Sequence, residues 1–207
     1  MYKTQRNYEN VEKQCYLGVG KYNIPQIQPC EYDGVKDWVP YNYANTTKDC
    51  ADKGIHFFLD DYQFMRLWRN PDAYIPLFYK YKYILSPDFS TYTDFPMALQ
   101  IYNHYRKHWL ARYYQEHMIN VIPTISWSTE DSFEWCFTGE PIHSTVAISS
   151  QSCLTTSAKK ELFLAGYNEM MQRLEPKCII FYGEIPEECT LPDKVVRVDS
   201  FSKRRWN

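Results

Sequence analysis

Carboxylates recur where short apolar runs of this 207-residue chain stop. Ile55–Leu59 gives way to Asp60 and Asp61. Tyr83–Leu85 gives way to Ser86, Pro87 and Asp88, with Asp94 further along the same loop. Later runs end in Ser126-Trp127, Ser149-Ser150, Tyr182 with Glu184, and Asp199. Neighbouring carboxyl groups raise one another's pKa, so one can stay protonated as an acid while another is ionised. Paired carboxyls of that kind carry glycoside hydrolysis. A set of them can instead hold Mg²⁺ or Mn²⁺ for phosphoryl chemistry. The expected catalytic group is Asp60, Asp61, Asp88 and Asp94, with Asp60, Asp61 and Asp88 as the ligands if an ion is bound. Taken singly, each also reads as a helix cap or turn residue.

The expected substrate contacts are Ser86, Ser126, Trp127, Ser149 and Tyr182. Trp127 can stack on a sugar or base ring, or equally plug the mouth of a sheet. Tyr182 precedes Gly183, which permits close backbone approach; the plainer reading is a buried Tyr before a turn.

Other chemistries find little support. His104 and His108 stand at i, i+4, a zinc-compatible spacing, but Tyr105 occupies the position of the Glu in HExxH. His56 reads as a satisfied core histidine, and His143 precedes a strand, on the opposite rim from the carboxylates. There is no GxSxG elbow, no Walker loop and no GxGxxG, so a serine or cysteine nucleophile is not expected. The seven Cys are widely spaced with no CxxC, which fits thiols in a reducing cytosol. The polar N-terminus shows no signal peptide and no run approaches the length of a membrane span, so the expected location is cytoplasmic, away from membranes. A formal net charge of -2 offers no global attraction to nucleic acid. Lys203, Arg204 and Arg205 are the basic exception and read as a solvated tail or a phosphate contact.

The elements that must position these groups alternate. Strand-like runs lie at 55–59, 83–85, 119–127, 144–150, 177–183 and 194–200, separated by helical stripes. The longest helix enters through Pro96, is capped by Asp94 and runs to about Met118. Its expected buried stripe is Ala98, Tyr102, Tyr105, Trp109 and Tyr113, leaving Arg106, Lys107 and Arg112 in solvent. Ser128 with Asp131 suggests a short capped helix, and 158–174 an amphipathic one. Strand–helix alternation predicts a single α/β domain with a parallel sheet over 54–207, behind an irregular covering arm at 1–53. The length suits a compact or incomplete TIM-barrel-like fold, since a full barrel takes about 250 residues. A doubly wound open sheet is the alternative. In either, the strand exits share one rim, where chemistry is expected.

The blocks GIHFFLDDYQFMRLWRNPDAY, LSPDFSTYTDFPMALQIYNHYR, NVIPTISW, STVAIS and PKCIIFYG resemble the domain of unknown function 4417, over roughly residues 15 to 185. The SPDFS…D.P…Q..N.YR pattern is the specific part. The resemblance implies a cytosolic protein of a phage or other mobile element and supplies no catalytic residues. The arm before Cys15 and the tail after Glu184 fall outside it. The residues themselves support a hydrolase-like enzyme acting on a sugar- or nucleotide-containing substrate. The alternative is a non-catalytic protein that binds a nucleotide, a nucleic-acid end or a host protein.

Overall fold

The computed structural model describes residues 9–199; the basic run Lys203–Arg205 lies outside them. Seven strands are present among these residues: β1 (Asp37–Pro40), β2 (Lys53–His56), β3 (Tyr83–Leu85), β4 (Val121–Ile122), β5 (Thr145–Ser149), β6 (Cys178–Tyr182) and β7 (Lys194–Val198). The first four form one parallel sheet in sequence order, the last three another. A single parallel bridge, Thr124 to Ala147, joins β4's extension to β5. The order never reverses, so the crevice of a doubly wound sheet does not arise. No ladder closes β7 onto β1 among the described residues, and the sheet is not a closed barrel.

The arm expected to be irregular supplies β1, whose Trp38 and Val39 are buried against β2. Gly54 is required there: a Cβ on it would lie 2.4 Å from the Trp38 indole. The long run at 119–127 keeps only two residues of regular strand, because Pro123 lacks a donor and interrupts the ladder.

Period-two alternation sorts the strand side chains. Val146, Ile148, Ile179 and Phe181 pack on the helix α4 (Ser157–Leu174), with Phe163, Tyr167 and Met170. Ala147, Ile180, Tyr182 and Val198 turn the other way and join the cluster of β2 and β3. There the Tyr182 ring lies 4.8 Å from that of Phe58 and 4.9 Å from that of His56, by centroids. β6 therefore faces β2 across an interior, although three strands separate them in order. Lys194 Nζ also donates to the Tyr32 carbonyl at 2.8 Å, bringing the start of β7 beside the segment that leads into β1.

Between β2 and β3 lie the short helices α1 (Met65–Arg69) and α2 (Ile75–Phe78). After β3 comes α3 (Met97–Glu116). No helix among the described residues is long and apolar enough to cross a membrane.

Candidate functional site

The buried face of α3 is not the expected one. Ala98 is exposed, while Tyr102, Tyr105 and Tyr113 are half-buried and only Trp109 is fully covered. The buried stripe is Gln100, Asn103, His104, Lys107, His108 and Ala111, at helical spacing, with Arg106 and Leu110 beside it. Arg106 and Lys107 are thus interior groups rather than solvated ones, and Arg112 is half-buried. Burying charge needs partners. The strand exits and the loop before β5 supply them. Asp94 is exposed and does not cap α3, whose N-cap is Pro96 without a side-chain bond. The expected helix after Ser128 is a 3-10 turn, Glu130–Glu134, entered through Thr129.

At the exit of β2, Asp60 is exposed and Asp61 half-buried. The Asp61 carboxylate accepts from Ser90 N at 3.2 Å and from Ser90 Oγ at 2.8 Å. Burial raises its pKa and Asp60 adds to the rise, while the Ser90 bonds and Arg106 oppose it. Asn103 Nδ2 donates to the Ser90 carbonyl at 2.6 Å, which fixes this loop on α3. Arg106 lies over the Phe89 ring at 4.0 Å and the Tyr102 ring at 4.7 Å, and its guanidinium donates to Asn103 Oδ1.

At the exit of β3, Ser86 Oγ accepts from Thr124 N at 2.8 Å, and Thr124 Oγ1 donates to the Ser86 carbonyl at 3.0 Å. Ser86 therefore stitches β3 to β4's extension and is fully buried. Asp88 follows. As a residue it is half-buried, but its Oδ1 is inaccessible and has no hydrogen-bond partner. Burial pushes its carboxyl up to about 7; Asp61 adds to the rise, and Lys107 and a bond from Ser126 hold it back. A carboxyl poised near neutrality can give or take a proton at working pH. Cys153, in the loop after β5, lies within electrostatic reach of Asp88, and burial is the larger reason its thiol is raised.

Beneath this rim Lys107 Nζ donates to Glu140 Oε1 at 2.8 Å and to the Thr124 carbonyl at 2.7 Å. His108 Nε2 lies 2.9 Å from the same Glu140 oxygen, and its Nδ1 2.8 Å from the Pro25 carbonyl. Burial alone would raise Glu140, but Lys107 and His108 outweigh it and hold the carboxyl low. His104 is depressed by burial, then by His108 and Lys107, so its neutral ring donates from Nε2 to the Thr138 carbonyl at 3.0 Å.

His104, His108 and Glu140 place one potential ligand atom each within 4.8 Å of one another. The Lys107 ammonium already sits on the carboxylate, so a dication there would face an adjacent buried cation. The cluster is better balanced as an ion pair. Asp60, Asp61 and Asp88 do not form such a group among the described residues.

The remaining expected contacts separate. Ser126 is half-buried, and its influence on Asp88 is a small lowering of that carboxyl's pKa. Trp127 packs its ring on Phe163, 5.4 Å away, and covers Gly166, where a Cβ would meet the indole at 2.2 Å. Ser149 Oγ accepts from Gln151 N at 3.1 Å in a local turn. Tyr182 is buried in the interior. The structure thus brings together Asp61, Asp88 and Ser126, from the loops after β2, β3 and β4. Around them stand Lys107, Arg106, Glu140 and Cys153, which the sequence reading did not single out. The signal for Lys107 was present as a second, polar stripe on α3; Glu140 offered none.

The profile of the domain of unknown function DUF4417 matches residues 16–199. The chain is 37% identical over 171 residues to the "Gene 1 protein" of Mycobacterium phage L5, covering 79% of this chain and 72% of that protein. It is 35% identical over 176 residues to the "Gene 1 protein" of Mycobacterium phage D29, covering 83% of this chain and 65% of that one. No solved structure gives a significant match. By the extent of the profile match and the identity to the two phage proteins, the chain belongs to the DUF4417 family.

Proposed function

We propose that this phage-type protein is a carboxylate-based, hydrolase-like enzyme working at the carboxyl ends of its strands on a sugar- or nucleotide-containing substrate. The carrying observation is Asp88: an inaccessible carboxyl oxygen without a partner, beside Asp61 and Lys107, titrating near neutral pH. Asp88 is the acid, giving its proton to the leaving oxygen. Asp61 is the second carboxyl, orienting water and taking its proton. Ser126 lies near Asp88, Asp94 on the exposed part of the same loop is a helper, and the exposed Asp60, next to Asp61, contacts substrate or an Mg²⁺ or Mn²⁺ ion that arrives with it. The fold reading behind this is an incomplete TIM-barrel-like shell, supported by the sequential parallel order, the Thr124–Ala147 bridge and the β2–β6 ring contacts. The test is turnover of glycoside and phosphodiester panels by wild type and Asp88→Asn. Loss of turnover with a retained melting temperature supports the assignment, and full turnover by the variant rejects it.

A second reading, binding without turnover, draws on Tyr62 and Tyr92, exposed by 75% and 56% beside Asp61 and Ser90. Exposed aromatic faces stack on sugar or base rings. A nucleotide that raises the melting temperature without metal and without being consumed favours this reading.

A further inference from the structure

We propose that Asn103 is a positioning residue for Asp61: through Ser90 it sets where the second carboxyl of the site points, leaving Asp61 Oδ2 to take the proton from water. The inference rests on the reading of Asp61 as that second carboxyl. Asn103 is 2% exposed on α3. Its Nδ2 donates to the Ser90 carbonyl at 2.6 Å, and its Oδ1 accepts from the Arg106 guanidinium. A carbonyl only accepts and a guanidinium only donates, so these two partners admit one orientation of the amide. Arg106 is itself fixed. Its guanidinium lies 4.0 Å over the Phe89 ring and 4.7 Å over the Tyr102 ring, with one nitrogen 3.1 Å from Met65 Sδ.

Ser90 passes this constraint on. Its carbonyl is held by α3, and both of its donors go to Asp61: Oγ to Oδ1 at 2.8 Å, and the backbone N–H to Oδ1 and Oδ2 at 3.2 Å each. Oδ1 takes the short bond, while Oδ2 has only its share of the longer, divided one among the described residues. A carboxylate oxygen has two lone pairs, so Oδ2 keeps capacity for a water proton. Phe89, Ser90, Asn103 and Arg106 all lie in the SPDFS…D.P…Q..N.YR pattern that carries the family resemblance. The chain of contacts from Arg106 through Asn103 and Ser90 to Asp61 gives that spacing a physical purpose. The charges within reach of the Asp61 carboxyl are Asp60 on its own turn, Asp88 from the loop after β3 and Arg106 from α3. All three are retained in the variants that test Asn103.

The experiment follows the Asp61 carboxyl carbon by NMR in ¹³C-aspartate-labelled full-length protein, from pH 3 to 9. The reference is wild type, and the signal is assigned by its loss in Asp61→Asn. Asn103→Leu keeps a branched, uncharged side chain but releases Ser90. Its donors then no longer favour the ionised carboxyl, so the Asp61 midpoint is expected to rise by about one pH unit, a roughly tenfold rise in the protonated-to-ionised ratio. Ser90→Ala keeps the backbone donor and is expected to give a smaller rise. The double variant Ser90→Ala/Asn103→Leu is expected to titrate with Asn103→Leu alone, because the second change acts on a link already broken. An Asn103 that only stabilises the fold would lower the melting temperature and leave the midpoint in place. An unmoved midpoint in a folded Asn103→Leu, or rises that simply add in the double variant, overturns the proposal. If Asn103→Leu does not fold, Asn103→Ser, too short to reach the Ser90 carbonyl, decides by the same comparison. Full turnover of the substrate panels by Asp61→Asn is a distinct result: it removes the reading of Asp61 on which the proposal rests, whatever the titrations give.

Discussion

Ser90 Oγ donates to Asp61 Oδ1 at 2.8 Å, and through this bond the loop that follows β3 is tied to the loop that follows β2. The two carboxylate-bearing exits are thereby held on one rim, and Asp88 stands two residues from the tether. Ser90→Ala removes the hydroxyl donor but keeps the backbone one. The expected cost is about 1 kcal/mol, typical of a single hydrogen bond. The Asp61 carboxyl should titrate higher than in wild type, because a bond that opposes the burial effect is gone. Calorimetry and carboxyl NMR check the two parts.

Asp88 makes stability depend on pH in a defined direction. In the folded chain it keeps its proton to about pH 7, against an ordinary value of 3.8. Between those values the folded state binds more protons than the unfolded one, so this group's contribution to stability falls as pH rises and levels off above 7. Asp88→Asn cannot ionise. Its stability is expected to match wild type near pH 4 and to exceed it at pH 8 by up to a few kcal/mol, since each pKa unit is worth about 1.36 kcal/mol. Urea melts of both proteins at the two pH values measure the difference. Equal gaps at both would contradict it.

The Lys107–Glu140 pair should show strong coupling. Glu140→Gln strands the buried Lys107 ammonium and is expected to cost about 3–5 kcal/mol, while Lys107→Met leaves Glu140 still facing His108 and is expected to cost less. The double variant removes both charges and should cost much less than the sum of the two. A double-mutant cycle on unfolding free energies reads this directly, and additive effects would show that the two side chains do not pair.

Gly166→Ala tests the place given to Trp127. The new Cβ would fall 2.2 Å from the indole nitrogen, so α4 or the ring must move. Overpacking of this kind costs about 1–3 kcal/mol. A lowered melting temperature with altered tryptophan fluorescence is expected. An unperturbed protein would mean that the ring is free to serve as a stacking platform.

The alternation of strands and helices was legible because parallel strands buried on both faces read as continuous apolar runs, as at Tyr83–Leu85 and Cys178–Tyr182. β1 was hidden, since DWVP holds only two buried residues and ends in proline. The carboxylates at the strand exits were legible for the same reason as the strands. The polar face of α3 was not, because aromatic residues at helical spacing outbid polar ones in any reading that assigns burial by hydrophobicity. Gln100 and Asn103 are met by Phe95 O and Ser90 O of the loop that leads into the helix, while His104 and Lys107 find Thr138 O and Glu140 more than thirty residues further along the chain. Those pairings depend on tertiary contact, and no local pattern announces Glu140. Tyr182 and Trp127 show the converse: each closes an apolar run of the sequence, yet one is buried against Phe58 and the other lies on α4.

What most directly tests the acid at the rim is the pH titration of one carboxyl carbon, that of Asp88 in the unmodified protein. A midpoint close to 7 is the expected result, and a midpoint near 4, as for a solvated aspartate, would contradict it.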